Sequence, residues 1–394
     1  MPVSSTPGVR SGMSEAARAG TTDRLWARWQ SGPDAYTVGV EEEAMLVEAS
    51  THLPANRADR ALAAFSESLR ARTAPETHAS VLELRTGVHA RVASALRELR
   101  QTREALSAEL HPMGLRAAVA GTHARGSAAG SSNSDAARYR RVSETMRSLA
   151  HREPTMALHV HVGIRRPDDG VRVLNRLREN IPVLVALSAN SPFVNGADSG
   201  FASARTPIFG GFPRTGAPRS FRSYRDFVES IDALIAPGAI PDHTFLWWDV
   251  RLQPTLGTVE VRAMDAQTTV EDAAPLVALV QSLAHLELEG EPLDHRSTPE
   301  LVEENRFRAA RDGVEAQLID GSGRRLVPLR ALVEQLIEQC RPHATALRCA
   351  AALENLDQRL TANGAHRQRA CASRQGVASV VPALAEQFTR HPGR

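Results

Sequence analysis

Four short segments of the chain each place two ionisable side chains two residues apart among apolar neighbours. They are Gly39-Val40-Glu41-Glu42-Glu43, Val81-Leu82-Glu83-Leu84-Arg85, Leu158-His159-Val160-His161-Val162 and Thr258-Val259-Glu260-Val261-Arg262. Side chains alternate across a strand with period two, so each segment, read as a strand, sets its pair on one face over a mostly apolar opposite face. A single pair of this kind is an ordinary solvated strand face. Four are harder to explain that way, because solvated faces favour Thr, Ser, Lys and Gln over carboxylates, imidazoles and guanidiniums. If the four strands share a sheet, one face collects Glu41, Glu43, Glu83, Arg85, His159, His161, Glu260 and Arg262. Carboxylates crowded in this way take up protons unless cations neutralise them. Oxygen-rich ligation with an imidazole suits Mg2+ or Mn2+ better than Zn2+, and Arg beside such ions points to a phosphate substrate. Spacing alone therefore predicts a metal-dependent phosphoryl-transfer site on a sheet face.

The rest of the chain supplies cover for such a sheet. Strands are predicted at residues 36–48, 81–86, 116–121, 156–164, 247–252 and 257–264. Helical spacing of apolar residues covers 58–69, 88–110, 171–189, 221–234, 275–287, 298–311, 328–340, 344–360 and 377–389. Pro182 is expected to kink the helix at 171–189 or to start a second one. Residues 191–218, dense in Ser, Gly, Asn, Pro and Asp, form a connection long enough to be a binding loop or lid. Strands dominate the first two thirds and helices the last third, which predicts an α+β protein with a helix-covered sheet. Residues 1–34 lack periodic apolar positions and read as a flexible N-terminal segment, with deletion of 1–22 expected to be harmless. Residues 35–390 read as a single catalytic domain.

Composition removes several functions. All 47 basic residues are Arg, which disfavours Walker-type nucleotide binding and pyridoxal chemistry, both of which need Lys. A net charge of +2 with no basic stripe argues against nucleic acid as a partner. The best apolar run, residues 181–189, is too short to span a membrane. The N-terminus has no apolar core of a secretory signal. Cys340, Cys349 and Cys371 match neither a disulfide framework nor a zinc spacing, which suits a reducing cytoplasm.

Taken with Ser188-Ala189-Asn190-Ser191-Pro192-Phe193, Asp265-Ala266-Gln267-Thr268, Glu304-Asn305-Arg306 and His366-Arg367-Gln368-Arg369, the paired segments resemble the type 2 glutamate–cysteine ligases, also described as carboxylate–amine ligases. The resemblance runs from about residue 36 to 388. It implies a curved antiparallel sheet of glutamine-synthetase type that carries the metal site, backed by helices, with a helical C-terminal third. It implies ATP as cosubstrate with Mg2+ or Mn2+, and activation of a carboxylate as an acyl phosphate. An amine then attacks to form an amide of γ-glutamyl-cysteine type, with release of ADP and phosphate. The metal ligands implied are Glu41, Glu43, Glu76, Glu83, His159 and Glu260, with Glu43, Glu260 and Arg262 essential to catalysis. Arg262 is the phosphoryl clamp. Arg85, His161, Asn190, Ser191 and Arg205 are implied around substrate or nucleotide, and ordinary loop hydrogen bonding is an equal reading for Asn190, Ser191 and Arg205.

Two other readings share these residues: a guanidino-kinase-type phosphotransferase, and a non-catalytic nucleotide-binding homologue. Small-molecule acid and amine partners fit the leading one, and the oligomeric state stays open. The chain departs from the family pattern at Ala124 and Arg125, at Val194, Ala197 and Ala204 in the long loop, and at Leu252 and Gln253. Those positions are expected to face substrate, so the departures imply that cysteine is not a uniquely preferred acceptor. The crowding argument also implies that neutralising Glu43 or Glu260, or truncating Arg262, leaves folding intact.

Overall fold

The computed structural model describes residues 24–135, 137–292 and 297–390. Its centre is an antiparallel sheet of seven strands: β1 (Val38–Glu48), β2 (Thr73–Pro75), β3 (Val81–Arg85), β4 (Leu115–Ala118), β5 (Ala157–Gly163), β6 (Val250–Gln253) and β7 (Thr258–Asp265). The spatial order is β6–β7–β5–β1–β3–β2, with β4 pairing the distal end of β1. Five helices frame it: α1 (Val92–Leu110), α2 (Ala137–Met146), α3 (Pro167–Ser188), α4 (Arg205–Gly210) and α5 (Val270–Glu289). Helices α1, α3 and α5 pack on β1, β7 and β5 respectively. Val38, Val40, Ala44, Leu46, Leu82, Leu84, Val160 and Val261 are buried in the core with them. This is the α+β architecture expected, with the ionisable pairs left on the sheet's other face.

Glu42 is the one carboxylate of the Glu41–Glu43 run that points the other way. It is fully buried, and Arg103 of α1 donates to it through Nε (2.8 Å) and Nη2. The same guanidinium donates to the carbonyls of Gln267, Thr268 and Phe388. A buried ion pair is tolerated when both partners are saturated with hydrogen bonds, and this one ties β1, the end of β7 and the C-terminus together.

Several helix boundaries differ from the sequence expectation. Helix α3 runs through Pro182 without starting anew, because residues 181–188 are all buried and packing outweighs one lost backbone bond. Helix α5 begins at Val270, where Thr269 and Asp272 form a capping box that starts it ahead of Pro275. The helix expected at 58–69 divides at Phe65, and Ser66 caps the second piece. The helix expected at 344–360 is likewise interrupted: Leu329–Ala346 ends first, and Ala350–Glu354 and Leu356–Thr361 follow. Residues 191–218 hold a small hairpin, Phe193–Val194 with Ala197–Asp198, and then α4.

The flexible segment expected over residues 1–34 is corrected for its last part. Residues 1–23 lie outside the described residues, but 24–34 are docked. Trp29 donates from Nε1 to the Ile164 carbonyl (2.9 Å), and its ring lies so close to Gly170 that a Cβ there would sit 2.8 Å away. Trp26 stacks on His243 with centroids 5.2 Å apart, and Gln30 donates its backbone N–H to Pro254. Two indoles bury enough apolar area to hold a short segment that has no helical period. Trp29→Ala is therefore expected to cost about 3 kcal/mol of stability. Removing 1–22 should leave the melting temperature within a degree or so. Thermal denaturation of the two proteins side by side checks both statements.

His123, buried at the turn after β4, gives a pH signature. Its Nε2 donates to the His52 carbonyl (2.9 Å), and its Nδ1 accepts from the Arg125 N–H (3.1 Å). Burial pushes its pKa down to about 4, despite the hydrogen bond to His52. The unfolded chain takes up a proton near 6.5 and the folded one does not until about 4. The stability His123 contributes is thus complete above pH 6.5 and is lost as pH falls towards 4. His123→Gln is expected to flatten the wild-type loss between pH 7 and 4.5 by about 2 kcal/mol, read from urea unfolding at the two pH values.

Candidate active site

The sheet register does what period-two alternation predicts. Glu41 lies opposite Arg85 on β3 and His159 on β5, Glu43 lies opposite Glu83, and Glu260 lies opposite His161 on β5 and Arg251 on β6. Strand β7 bulges against β5 between Val261 and Met264, and on its other edge the Arg262 N–H bonds the Asp249 carbonyl (2.7 Å), continuing the register with β6. The loop after β2 adds Glu76. These groups line one cavity of about 460 Å3, together with Arg138 and Tyr139 of α2 and Arg205 of α4.

Three sets of ligand atoms lie within 4.8 Å of one another: Glu41, His161 and Glu260; Glu41, Glu83 and His159; and Glu43, Glu76 and Glu83. The second and third sets fit a divalent cation by their chemistry. Burial, and then the charge of neighbouring Glu76, pushes Glu43 up to about 8. Burial raises Glu76, and burial followed by Glu41, Glu76 and Glu43 raises Glu83 far above the carboxylate range. Hard cations are what would let these oxygens stay ionised together. Burial and Arg262 push His159 down to about 4, so it is a neutral imidazole. With Nδ1 donating to Glu41 (3.2 Å), its Nε2 lone pair faces Glu43 at 3.7 Å. His161 Nε2 is buried with no hydrogen-bond partner among the described residues, 3.5 Å from Glu41 and 4.0 Å from Glu260. Burial opposes the charge on Glu41, but the imidazoles of His159 and His161 hold it well below the usual range.

Glu260 differs from the other carboxylates. It is fully buried, accepts from Arg251 Nε and Gln253 Nε2 at 2.7 Å each, and is ion-paired to Arg262. Burial would raise its pKa, but Arg251 and then Arg262 outweigh that and hold it far below the carboxylate range. This corrects the expectation that neutralising Glu260 leaves folding intact. Relief of repulsion applies to Glu43, Glu76 and Glu83, whereas Glu260 is the counter-ion of two guanidiniums, buried Arg251 and part-buried Arg262. Removing it would leave them unpaired.

The remaining candidates separate. Arg85 sits at the cavity rim, half exposed and 3.5 Å from Glu83. Arg205 lines the cavity and donates to the carbonyls of Ala263 (3.1 Å) and Arg262 (3.0 Å). Asn190 and Ser191 do not line it. Asn190 donates to the Ala266 carbonyl, while Ser191 donates to Asp265 (2.6 Å) and accepts from the Arg205 N–H (3.1 Å). They brace the end of β7 and the start of α4, so their placement around substrate is corrected. Val194 and Ala197 sit on the small hairpin, and neither they nor buried Ala204 line the cavity. The loop departures therefore do not remodel its wall.

Sequence reasoning overlooked Arg138, Tyr139, Arg251, Phe209, Phe212 and Trp247, all in the lining. Arg251 and Gln253 carried the period-two signal of the other strands. The others sit on α2, on or just after α4, and on a two-residue strand, none with a pattern that marks a cavity.

Comparison with known proteins settles the family. The family model described as glutamate–cysteine ligase family 2 matches residues 37–383. The chain belongs to that family. It is 43% identical over 354 residues to a protein of Rubrobacter xylanophilus provisionally named glutamate–cysteine ligase 2-3, covering 89% of this chain and 96% of that one. A Sorangium cellulosum protein provisionally named glutamate–cysteine ligase 2 is 38% identical, covering 77% and 82%. Among solved structures, the fold is shared with a glutamate–cysteine ligase of Francisella tularensis in complex with AMP. That match has a TM-score of 0.68 at 14% identity over 92% of this chain and 91% of the other. A bifunctional glutathione synthetase of Pasteurella multocida matches at TM-score 0.62 and 15% identity, over 90% of this chain and 52% of its own. The family member described here is an ATP-dependent carbon–nitrogen ligase with the glutamine-synthetase-type fold. No described helix is long and apolar enough to cross a membrane.

Proposed function

We propose that this ligase joins a carboxylate to an amine through an acyl phosphate. A carboxylate oxygen attacks the γ-phosphorus of ATP, and the bond to the bridging oxygen of ADP breaks. The amine nitrogen then attacks the acyl carbon and phosphate leaves, carrying one oxygen of the original carboxylate. The observation that carries the reading is the convergence in one cavity of three overlapping carboxylate and imidazole sets beside Arg262 and Arg205. Glu41, Glu43, Glu76, Glu83 and His159 would hold Mg2+ or Mn2+, which neutralises phosphate charge when bound. Arg262 is part-buried and fixed by Glu260, so its charge needs little reorganisation when a phosphoryl group moves past it. Arg251 and Gln253 hold Glu260 from the other side, and His161 completes the wall between Glu41 and Glu260. Small-molecule acid and amine partners and a cytoplasmic setting complete the proposal.

The test is a turnover assay over a matrix of acids and amines with 18O-labelled carboxylate. ADP and phosphate bearing one 18O are the expected products. AMP and pyrophosphate would overturn the route, and ADP with transfer to a guanidino group and no amide would favour a phosphotransferase.

A further inference from the structure

One part of the cavity lining is aromatic. The chain has only ten Phe, four Trp and three Tyr in 394 residues, yet Phe209, Phe212 and Trp247 share this wall. Phe209 and Phe212 have ring centroids 6.0 Å apart, and Phe212 stands edge-on to Trp247 at 6.4 Å. All three are only half-buried. Apolar area left facing water forgoes about 25 cal/mol per Å2, so a continuous aromatic wall in a reaction cavity is a surface that a ligand completes.

A cation adjoins that wall. The guanidinium of Arg205 lies 5.4 Å from the Phe209 ring centroid, with its Nη2 edge part-buried. Arg205 bonds the carbonyl of Arg262, which places it beside the phosphoryl-handling end of the cavity. A molecule with a carboxylate at one end and an apolar ring-sized body satisfies both features at once. Glutamate does not, because its far end carries an ammonium and a second carboxylate. Both would lose hydration against ring faces.

We infer that the donor acid is an aryl or arylalkyl carboxylic acid, its carboxylate beside Arg205 and Arg262 and its ring on Phe209, Phe212 and Trp247. This rests on the ligase reading above for the fate of the carboxylate, but the binding itself is independent of turnover. Isothermal titration of the full chain with Mg2+ present compares 3-phenylpropionate with L-glutamate. The aryl acid should bind at least tenfold more tightly. Phe209→Leu and Trp247→Leu should each weaken it five- to tenfold while ATP affinity, which reports an intact fold, stays unchanged. A second arm supplies ATP and hydroxylamine as the amine and follows hydroxamate and ADP.

Glutamate binding as tightly as the aryl acid, or unaltered aryl-acid binding in both variants, overturns the inference. Preferential glutamyl hydroxamate formation overturns it too and leaves the ligase reading standing. Variants that raise the KM of an apolar amine instead of the acid assign the wall to the acceptor, and so overturn it as well. Aryl-acid binding with neither ADP nor hydroxamate supports the pocket and overturns the acyl-phosphate route.

Discussion

Replacing Arg262 by alanine is expected to lower kcat by roughly two to three orders of magnitude, the loss typical of one preorganised electrostatic donor. The side chain is part-buried beside Glu260, and its Nη1 lies 3.4 Å from His159 Nδ1. Glu260 would keep Arg251 and Gln253 as partners, so the fold should survive. Arg262→Lys should not restore activity, because a point charge lacks the planar fork. Steady-state kinetics with the acid, amine and ATP each saturating, together with a melting curve, decide it. Wild-type kcat in Arg262→Ala would remove Arg262 from the reaction.

Stability in the absence of divalent cations should fall as pH rises from about 4.5 to about 8. Burial and the neighbouring Glu76 raise the folded pKa of Glu43 to about 8, while the unfolded carboxyl titrates near 4.5. The folded state therefore holds a proton that the unfolded state has released. The stability Glu43 contributes is complete below pH 4.5 and is lost as pH climbs through 8. The amount is on the order of 4 kcal/mol. Unfolding in EDTA at pH 5 and pH 8 should show the loss, and saturating Mg2+ or Mn2+ should abolish it. Glu43→Gln should show a flatter profile in EDTA yet turn over at least a hundredfold more slowly. A wild-type profile in that variant would mean that Glu43 does not belong to the crowded set. Glu260→Gln should behave in the opposite way, losing stability at every pH because Arg251 and Arg262 lose their shared counter-ion.

The contrast between these two glutamates shows where the sequence stops being informative. Glu43 and Glu260 occupy equivalent places in strands of the same pattern, and both were read as ligands in a crowded acidic face. Which one is crowded by carboxylates and which by guanidiniums depends on strand order. Glu83 and Glu76 reach Glu43 through β3 and the loop after β2, whereas Arg251 reaches Glu260 from β6. The long loop gives a second case. Asn190, Ser191 and Arg205 come from one polar stretch, yet the chain folds the first two under β7 and only Arg205 into the cavity. Glu76 stood on no strand pattern and entered only through family resemblance.

The sequence by itself determined which side chains share a face, because alternation along a strand is a local property of the backbone. Glu41 with Glu43, Glu83 with Arg85, His159 with His161 and Glu260 with Arg262 all follow from it. It also limited the chemistry, since a chain without lysine must meet phosphate with arginine, backbone or metal. Tertiary structure alone decided which strands are neighbours, and hence each carboxylate's partners and protonation. It brought the Arg103 guanidinium to buried Glu42, 61 positions away, and set Phe209 and Phe212 beside Trp247 as one wall. Contacts between residues so far apart in the chain are chosen by the packing of whole elements, and no local periodicity encodes them.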